Sequence, residues 1–374
     1  MPSAAAPWPA TLLPPMKADR PKRKTLQPPV PLPVGTRLGR YEVRNVLGSG
    51  AFGVVYRVLD PDTDEELAVR EYLPTHLAQR DGPTQVVLRS PDDAEVFAAG
   101  LRFFVNEGKL LPKFDHPSLV KVHDAWEANG TAYMAMALVA GRTLADTHLT
   151  RWKAPRESAL RAMLDALLGA LEPLHQAGLQ HRDIAPQTIV VALDGRPVLL
   201  DLGAPRRVMA ARGDTGPTGP RDGYAPIELY AAPAQAAGHK RGPWSDIYSL
   251  GATIYFLMTD KAPPPAGARQ PGDRLGLRLA RHTQRHSLAF LAVLDWMLAP
   301  QPADRPQSVA QLREALAGQG VPAAHQPSRA QRLAEALRRH QRWVWAATLL
   351  VLAGGVWLGV RYLVRHEIIP GLGG

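Results

Sequence analysis

Two aspartates eighteen positions apart carry the chemistry that this sequence most plainly offers. Asp183 ends the run His181-Arg182-Asp183, and Asp201 opens Asp201-Leu202-Gly203. Between them lie a short polar loop and two apolar runs, Ile189–Leu193 and Val198–Leu200, parted by Asp194-Gly195. Apolar runs on either side of Asp-Gly predict a β-hairpin. That hairpin sets one carboxylate just before its first strand and the other just after its second, so both face one cleft. A proton acceptor beside a metal-binding acid is what phosphoryl transfer requires.

Acids of this kind need elements that hold phosphate opposite them. The run Leu47-Gly48-Ser49-Gly50-Ala51-Phe52-Gly53-Val54-Val55-Tyr56 has three glycines spaced to let backbone N–H groups approach an anion. Strand patterns on both sides separate it from the dinucleotide fingerprint, which opens a helix. The next strand, Leu67–Glu71, carries Arg70, and apolar positions at helical spacing over Phe103–Leu111 accompany Glu107. Strands follow at 120–127 and 131–138, with Asn129-Gly130 as the turn between them. The second half reads as helical. Leu160, Met163, Leu164, Leu167, Leu168, Leu171 and Leu174 keep one stripe that ends at Gly178. Ser245 is the expected cap of a helix reaching about Met258, and Ser308 the cap of a last one.

In this order the motifs resemble the protein kinases, specifically membrane-tethered, bacterial-type (eukaryotic-like) Ser/Thr kinases, over residues of about 41–316. The resemblance implies an α+β, two-lobed protein-kinase-like fold. A small antiparallel-sheet lobe would occupy residues 38–139 and a mainly helical lobe 140–316. It implies ATP and Mg²⁺ as cofactors, with Mn²⁺ the alternative ion, and a protein substrate that the sequence does not name. Asp183, Arg182, Glu107 and Arg70 would be the catalytic group, with Glu107 pairing the cation of its neighbouring strand. Nucleotide would lie against Gly48, Ser49, Gly50, Ala51, Phe52, Gly53, Val55, Ala68, Arg70, Met136, Ala137, Val139 and Val190. Asp201 and Thr188 would hold the metal. Asp246 would brace the His-Arg-Asp backbone, Arg305 would pair with Glu228, and Arg182 would receive a phosphorylated Thr215 or Thr218. Three matched positions depart from the family pattern: Arg70 and Ala185 stand where it has lysine, and Thr188 where it has asparagine. Guanidinium and ammonium are not interchangeable in a tight phosphate site. A nucleotide- or partner-binding pseudokinase is therefore the competing expectation.

Composition sets the surroundings. The 374 residues contain no cysteine, which excludes disulfides and thiolate chemistry. The formal charge of +10 sits in the flanks: residues 38–316 balance at 31 basic and 31 acidic residues. A nucleic-acid partner is not expected from a neutral central domain. Residues 1–37, with ten prolines by residue 36, read as a disordered basic tail, and 317–342 as a basic juxtamembrane segment. Residues 343–360 are eighteen without a charge, roughly 27 Å as a helix, and predict one C-terminal transmembrane helix. More arginines precede that span than follow it, which puts the large domain in the cytoplasm on the inner membrane and residues 361–374 outside. Gly354-Gly355 allows close helix approach, and with it a homodimer.

Overall fold

The computed structural model describes residues 28–150, 154–200, 221–229, 241–270, 272–279, 285–336, 352–358 and 360–362. The first lobe is built on strands β1 (Arg37–Leu38), β2 (Tyr41–Gly50), β3 (Gly53–Asp60), β4 (Glu65–Tyr72), β7 (Val122–Ala128) and β8 (Thr131–Ala137). They form one antiparallel sheet in the order β1-β2-β3-β4-β8-β7. Burial along β3 alternates strictly, Val54, Tyr56 and Val58 facing a core that half-buried Val55 does not share. That period of two follows from the pleat. The turn between β7 and β8 is Asn129-Gly130, both at positive φ (54° and 72°), as the sequence predicts. Helix α1 (Ala94–Leu110) packs on this sheet. Its glycines let it come close: a Cβ at Gly108 would stand 2.2 Å from the Ala125 Cβ, and one at Gly100 2.0 Å from the Tyr72 hydroxyl.

An element not foreseen in the sequence lies between β4 and α1. Strands β5 (Ala78–Asp81) and β6 (Gln85–Leu88) pair as a separate hairpin, and Val86 N–H donates to the Asn129 carbonyl at 2.8 Å. The expectation of a solvated tail through residue 37 is corrected for its last ten residues. Leu32 is buried in the same core cluster as Tyr41, Tyr56 and Val58, its N–H donates to the Tyr56 hydroxyl at 3.0 Å, and the Gly35 N–H donates to the Val43 carbonyl at 2.8 Å. Burying a leucine side chain offsets the ordering of a segment that proline has already stiffened. Residues 1–27 lie outside the described residues.

The second lobe is helical. Its described elements are α2 (Leu144–Thr150), α3 (Glu157–Gln176), α4 (Pro243–Thr259), α5 (Leu275–Arg278), α6 (Leu288–Met297) and α7 (Val309–Leu316). The leucine stripe of α3 is buried as its spacing requires, and Gly178 ends the segment at φ 73°. Strands β9 (Gly141–Thr143), β10 (Ile189–Ala192) and β11 (Pro197–Leu199) form a small sheet facing the first lobe. The β10–β11 hairpin turns at Asp194-Gly195, as expected. Ser308 caps α7 by accepting the Gln311 N–H at 3.2 Å. Ser245 does not cap α4. That helix starts two residues earlier, at a proline whose missing N–H costs nothing in the first turn, and the Ser245 hydroxyl donates to Glu228 at 2.8 Å.

Among the described residues no helix is long and apolar enough to cross a membrane. Much of the predicted span at 343–360 lies outside them. Its described part, 352–358 and 360, is helical and leaves Leu352, Val356 and Trp357 exposed.

Candidate active site

The segment from Gln180 to Thr188 is a loop whose shape is fixed from beneath. Asp246, fully buried on α4, accepts the backbone N–H groups of His181 and Arg182, each at 2.8 Å. His175 Nε2 lies 2.8 Å from the same carboxylate. Burial alone would push the Asp246 carboxyl up. The His175 hydrogen bond, the neighbouring His175 and His181 charges and the Arg182 N–H outweigh it and hold it below the ordinary carboxylate range. The two amide bonds keep Arg182 at φ 64°, a left-handed conformation that a non-glycine residue holds only under such constraint. Above it, the Thr188 hydroxyl donates to the Asp183 carbonyl at 2.6 Å and accepts the Ala185 N–H at 3.1 Å. Asp183 is thus aimed through its backbone: Thr188 holds its carbonyl, and Asp246 holds the two residues before it.

That carboxylate opens into a cleft of about 480 Å³ between the lobes. The glycine hairpin forms one wall, its tip at Ala51-Phe52 between paired Gly50 and Gly53. A Cβ at Gly48 or Gly50 would meet nothing within 4 Å, so backbone there is open to an incoming group. Gly53 is needed for a different reason. Its φ is 149°, and a Cβ would sit 1.9 Å from the Glu71 carbonyl, so no other residue lets β3 lie this close to β4. Val55, Ala68, Met136, Ala137, Val139 and Val190 line the inner, apolar end. Arg70, Asp183, Thr188 and Arg221 line the polar end. Apolar side chains, open glycine backbone and arginines in one cleft are the lining that a nucleotide's base and phosphates need.

The family model described as protein kinase domain matches residues 41–316. The chain belongs to that family.

Among curated proteins, the kinase chain is 31% identical over 224 residues to the serine/threonine-protein kinase PknL of Mycobacterium bovis, covering 60% of this chain and 50% of that one. It is 32% identical over 241 residues to PknA of Mycobacterium tuberculosis, covering 62% and 49%. This chain therefore spans about half the length of these relatives. Among solved structures, the apo form of PpkA-294 is 34% identical at a TM-score of 0.67, covering 76% of this chain and 99% of that one. The Mycobacterium tuberculosis PknI kinase domain is 25% identical at 0.55, covering 77% and 98%.

All thirteen residues expected to contact nucleotide line the one cleft, together with Asp183 and Thr188. Glu107 and Arg182 are not on its wall. Glu107 is buried on α1, one turn beyond Phe104, and the Arg70 guanidinium stands over the Phe104 ring at 5.5 Å. Asp201, Thr215 and Thr218 lie outside the described residues; Leu200, next to Asp201, is on the cleft wall, and its N–H donates to the Thr188 carbonyl at 3.0 Å. The Thr188 hydroxyl is engaged by loop backbone on two sides, which leaves one lone pair for a metal. The Glu228–Arg305 pair forms as expected, at 2.7 Å with both side chains fully buried.

Sequence reasoning missed Arg221. Its Nε donates to Asp183 Oδ1 at 2.7 Å and its Nη2 to Oδ2 at 3.2 Å, a two-pronged grip on the one acid in the loop. The residue sits two positions ahead of Gly223-Tyr224-Ala225-Pro226, at the end of a Gly-, Pro- and Arg-rich stretch, residues 204–222, that the kinase resemblance assigns to the activation segment. Its arginine was one among several there, with no period to mark it.

Proposed function

We propose that the chain is an ATP- and Mg²⁺-dependent Ser/Thr protein kinase, acting on protein hydroxyls at the cytoplasmic face of a membrane. The observation that carries the reading is Asp183, held by a fully braced loop and facing the glycine hairpin across a cleft with an apolar inner end. Bound Mg²⁺ would screen phosphate charge; Asp201 and Thr188 are the residues that would hold it. Asp183 orients the substrate hydroxyl and takes its proton as oxygen bonds to the terminal phosphorus and the bond to ADP breaks. The hairpin backbone and Arg70 steady the phosphates. Glu228, fixed by Arg305, supports the ledge on which a peptide would lie. Membrane attachment is supported by the uncharged run at 343–360 and by the apolar side chains that its described part leaves uncovered.

The test is phosphate incorporation by the full chain in lipid nanodiscs, with labelled ATP, Mg²⁺ and a generic basic protein. Incorporation well above an Asp183→Asn control is the expected result; equality with that control removes the enzyme reading. The competing reading, a membrane-held nucleotide-binding scaffold, is favoured by the double occupation of the Asp183 carboxylate and of the Thr188 hydroxyl. It predicts melting-temperature rises with Mg-ATP but no transfer.

A further inference from the structure

The catalytic loop of this chain carries no cation of its own between Asp183 and Thr188: the residues are Ile184, Ala185, Pro186 and Gln187. Ala185 is fully buried in the main core. Yet phosphoryl transfer between a triphosphate and a hydroxyl gathers negative charge at this point, and a fixed positive charge there is the largest lever a protein has on it.

Arg221 supplies such a charge from another element. Its guanidinium reaches the Asp183 carboxylate with two nitrogens while keeping about a quarter of its side chain exposed, on the cleft wall. Its backbone is not a loose loop. The Arg221 carbonyl accepts the N–H groups of Tyr224 at 3.0 Å and Ala225 at 2.8 Å, and both of those residues are buried. Three residues on, Glu228 is locked to Arg305 and Ser245. Gly223 makes the turn possible at φ 82°, where a Cβ would meet the Pro263 carbonyl at 2.6 Å. The cation is thus presented from a hydrogen-bonded turn of the second lobe, on the wall of the cleft. Burial pushes the Tyr224 hydroxyl up to about 12 against the opposing pull of Arg221, so the two groups share one small electrostatic neighbourhood.

We propose that Arg221, anchored on Asp183, is the cation that faces the terminal phosphate of bound ATP, in place of a charge at position 185. This rests on the nucleotide-binding reading of the cleft. In that role Arg221 does two things: it holds the proton acceptor in position, and it neutralises the phosphate as it moves toward the hydroxyl. Exposed arginines on mobile loops could not do this, because the geometry must exist before the substrate arrives.

The experiment compares full chain in nanodiscs with Arg221→Met, which keeps length and loses charge, and Arg221→Lys, which keeps charge. Affinities for Mg-ADP and for the non-hydrolysable Mg-β,γ-imido-ATP are measured by calorimetry, beside phosphotransfer. Wild type should favour the triphosphate by about tenfold, as a charge-assisted contact to one phosphate predicts. Arg221→Met should bring the ratio near one with Mg-ADP affinity unchanged, and Arg221→Lys should keep most of the preference. An unchanged ratio in Arg221→Met overturns the proposal. So does faster transfer by Arg221→Met, which would make the contact a block. Wild type without transfer, but with an Arg221-dependent ratio, would remove the kinase reading and leave the proposal standing. Transfer by wild type that Arg221→Met leaves unaltered would do the reverse.

Discussion

Among the described residues, Arg80–Glu71 in the first lobe and Arg305–Glu228 in the second are both closed off from water, and the two are built differently. In the second lobe, Glu228 meets Arg305 at 2.7 Å and the Ser245 hydroxyl at 2.8 Å, both at the same oxygen; Oε2 has no hydrogen-bond partner among the described residues. Arg305 also donates to the carbonyls of Ala299 and Pro300 and stacks over Tyr248 at 4.6 Å. In the first lobe, Glu71 is shared. Arg80 from β5 and the Tyr56 hydroxyl reach Oε2, and the Tyr133 hydroxyl reaches Oε1 at 3.0 Å. Arg80 also holds the Val30 carbonyl at 2.9 Å and the Thr84 carbonyl at 2.8 Å. One pair is a rivet with a single cation; the other is a junction of several donors. A buried acid depends on its arginine in proportion to how little else satisfies it.

The comparison breaks most visibly at Arg305. Arg305→Met leaves Glu228 buried with one hydroxyl, and a cost of about 3–5 kcal/mol is expected, seen as an apparent Tm about 10 °C lower. If Arg80→Met proves as damaging in the same melt, the distinction between rivet and junction is wrong. We expect Arg80→Met to cost about 2 kcal/mol, since two tyrosine hydroxyls remain on Glu71. It should also expose residues 28–36 to limited proteolysis. Leu32→Ala tests the same junction through packing. A loss near the low end of the usual range, about 2 kcal/mol, is predicted because the segment lies at the margin of its core; no loss by urea denaturation would mean the segment is idle.

The smallest effect is on pH. Burial, then the nearby Glu71 charge, push the Tyr56 and Tyr133 hydroxyls above their ordinary value. With the folded value raised, the folded state holds protons that unfolded tyrosines release from about pH 10 upward. Stability from these groups is complete below pH 10 and falls as pH rises beyond it. Tyr56→Phe with Tyr133→Phe should flatten that alkaline slope in denaturant midpoints taken between pH 9 and 11, whereas Arg305→Met should leave the slope unchanged.

What could be read from the chain divides along the same line. Glu228 and Arg305, 77 positions apart, were paired in advance because each sits in a short motif whose order the family fixes. So were the glycine hairpin, the Asp194-Gly195 turn and the Asp246 brace, whose residue types dictate their backbone. Glu71, Arg80, Tyr56 and Tyr133 meet through sheet register and an unforeseen hairpin, and nothing local in the sequence announces which strand faces will coincide. Arg221 was hidden for a related reason: its role depends on where a turn delivers a side chain. Ser245 was misassigned because a serine at a helix start satisfies the capping pattern as well as the buried-acid one, and only Glu228 decides between them.

Arg70 and Glu71 are neighbours on β4, one on the wall of the cleft and the other at the junction behind the sheet. The segment running ahead of the sheet, gripped at Val30 by Arg80 and at Leu32 by Tyr56, is therefore tied through Glu71 to the residue next to Arg70 on the strand that walls the cleft.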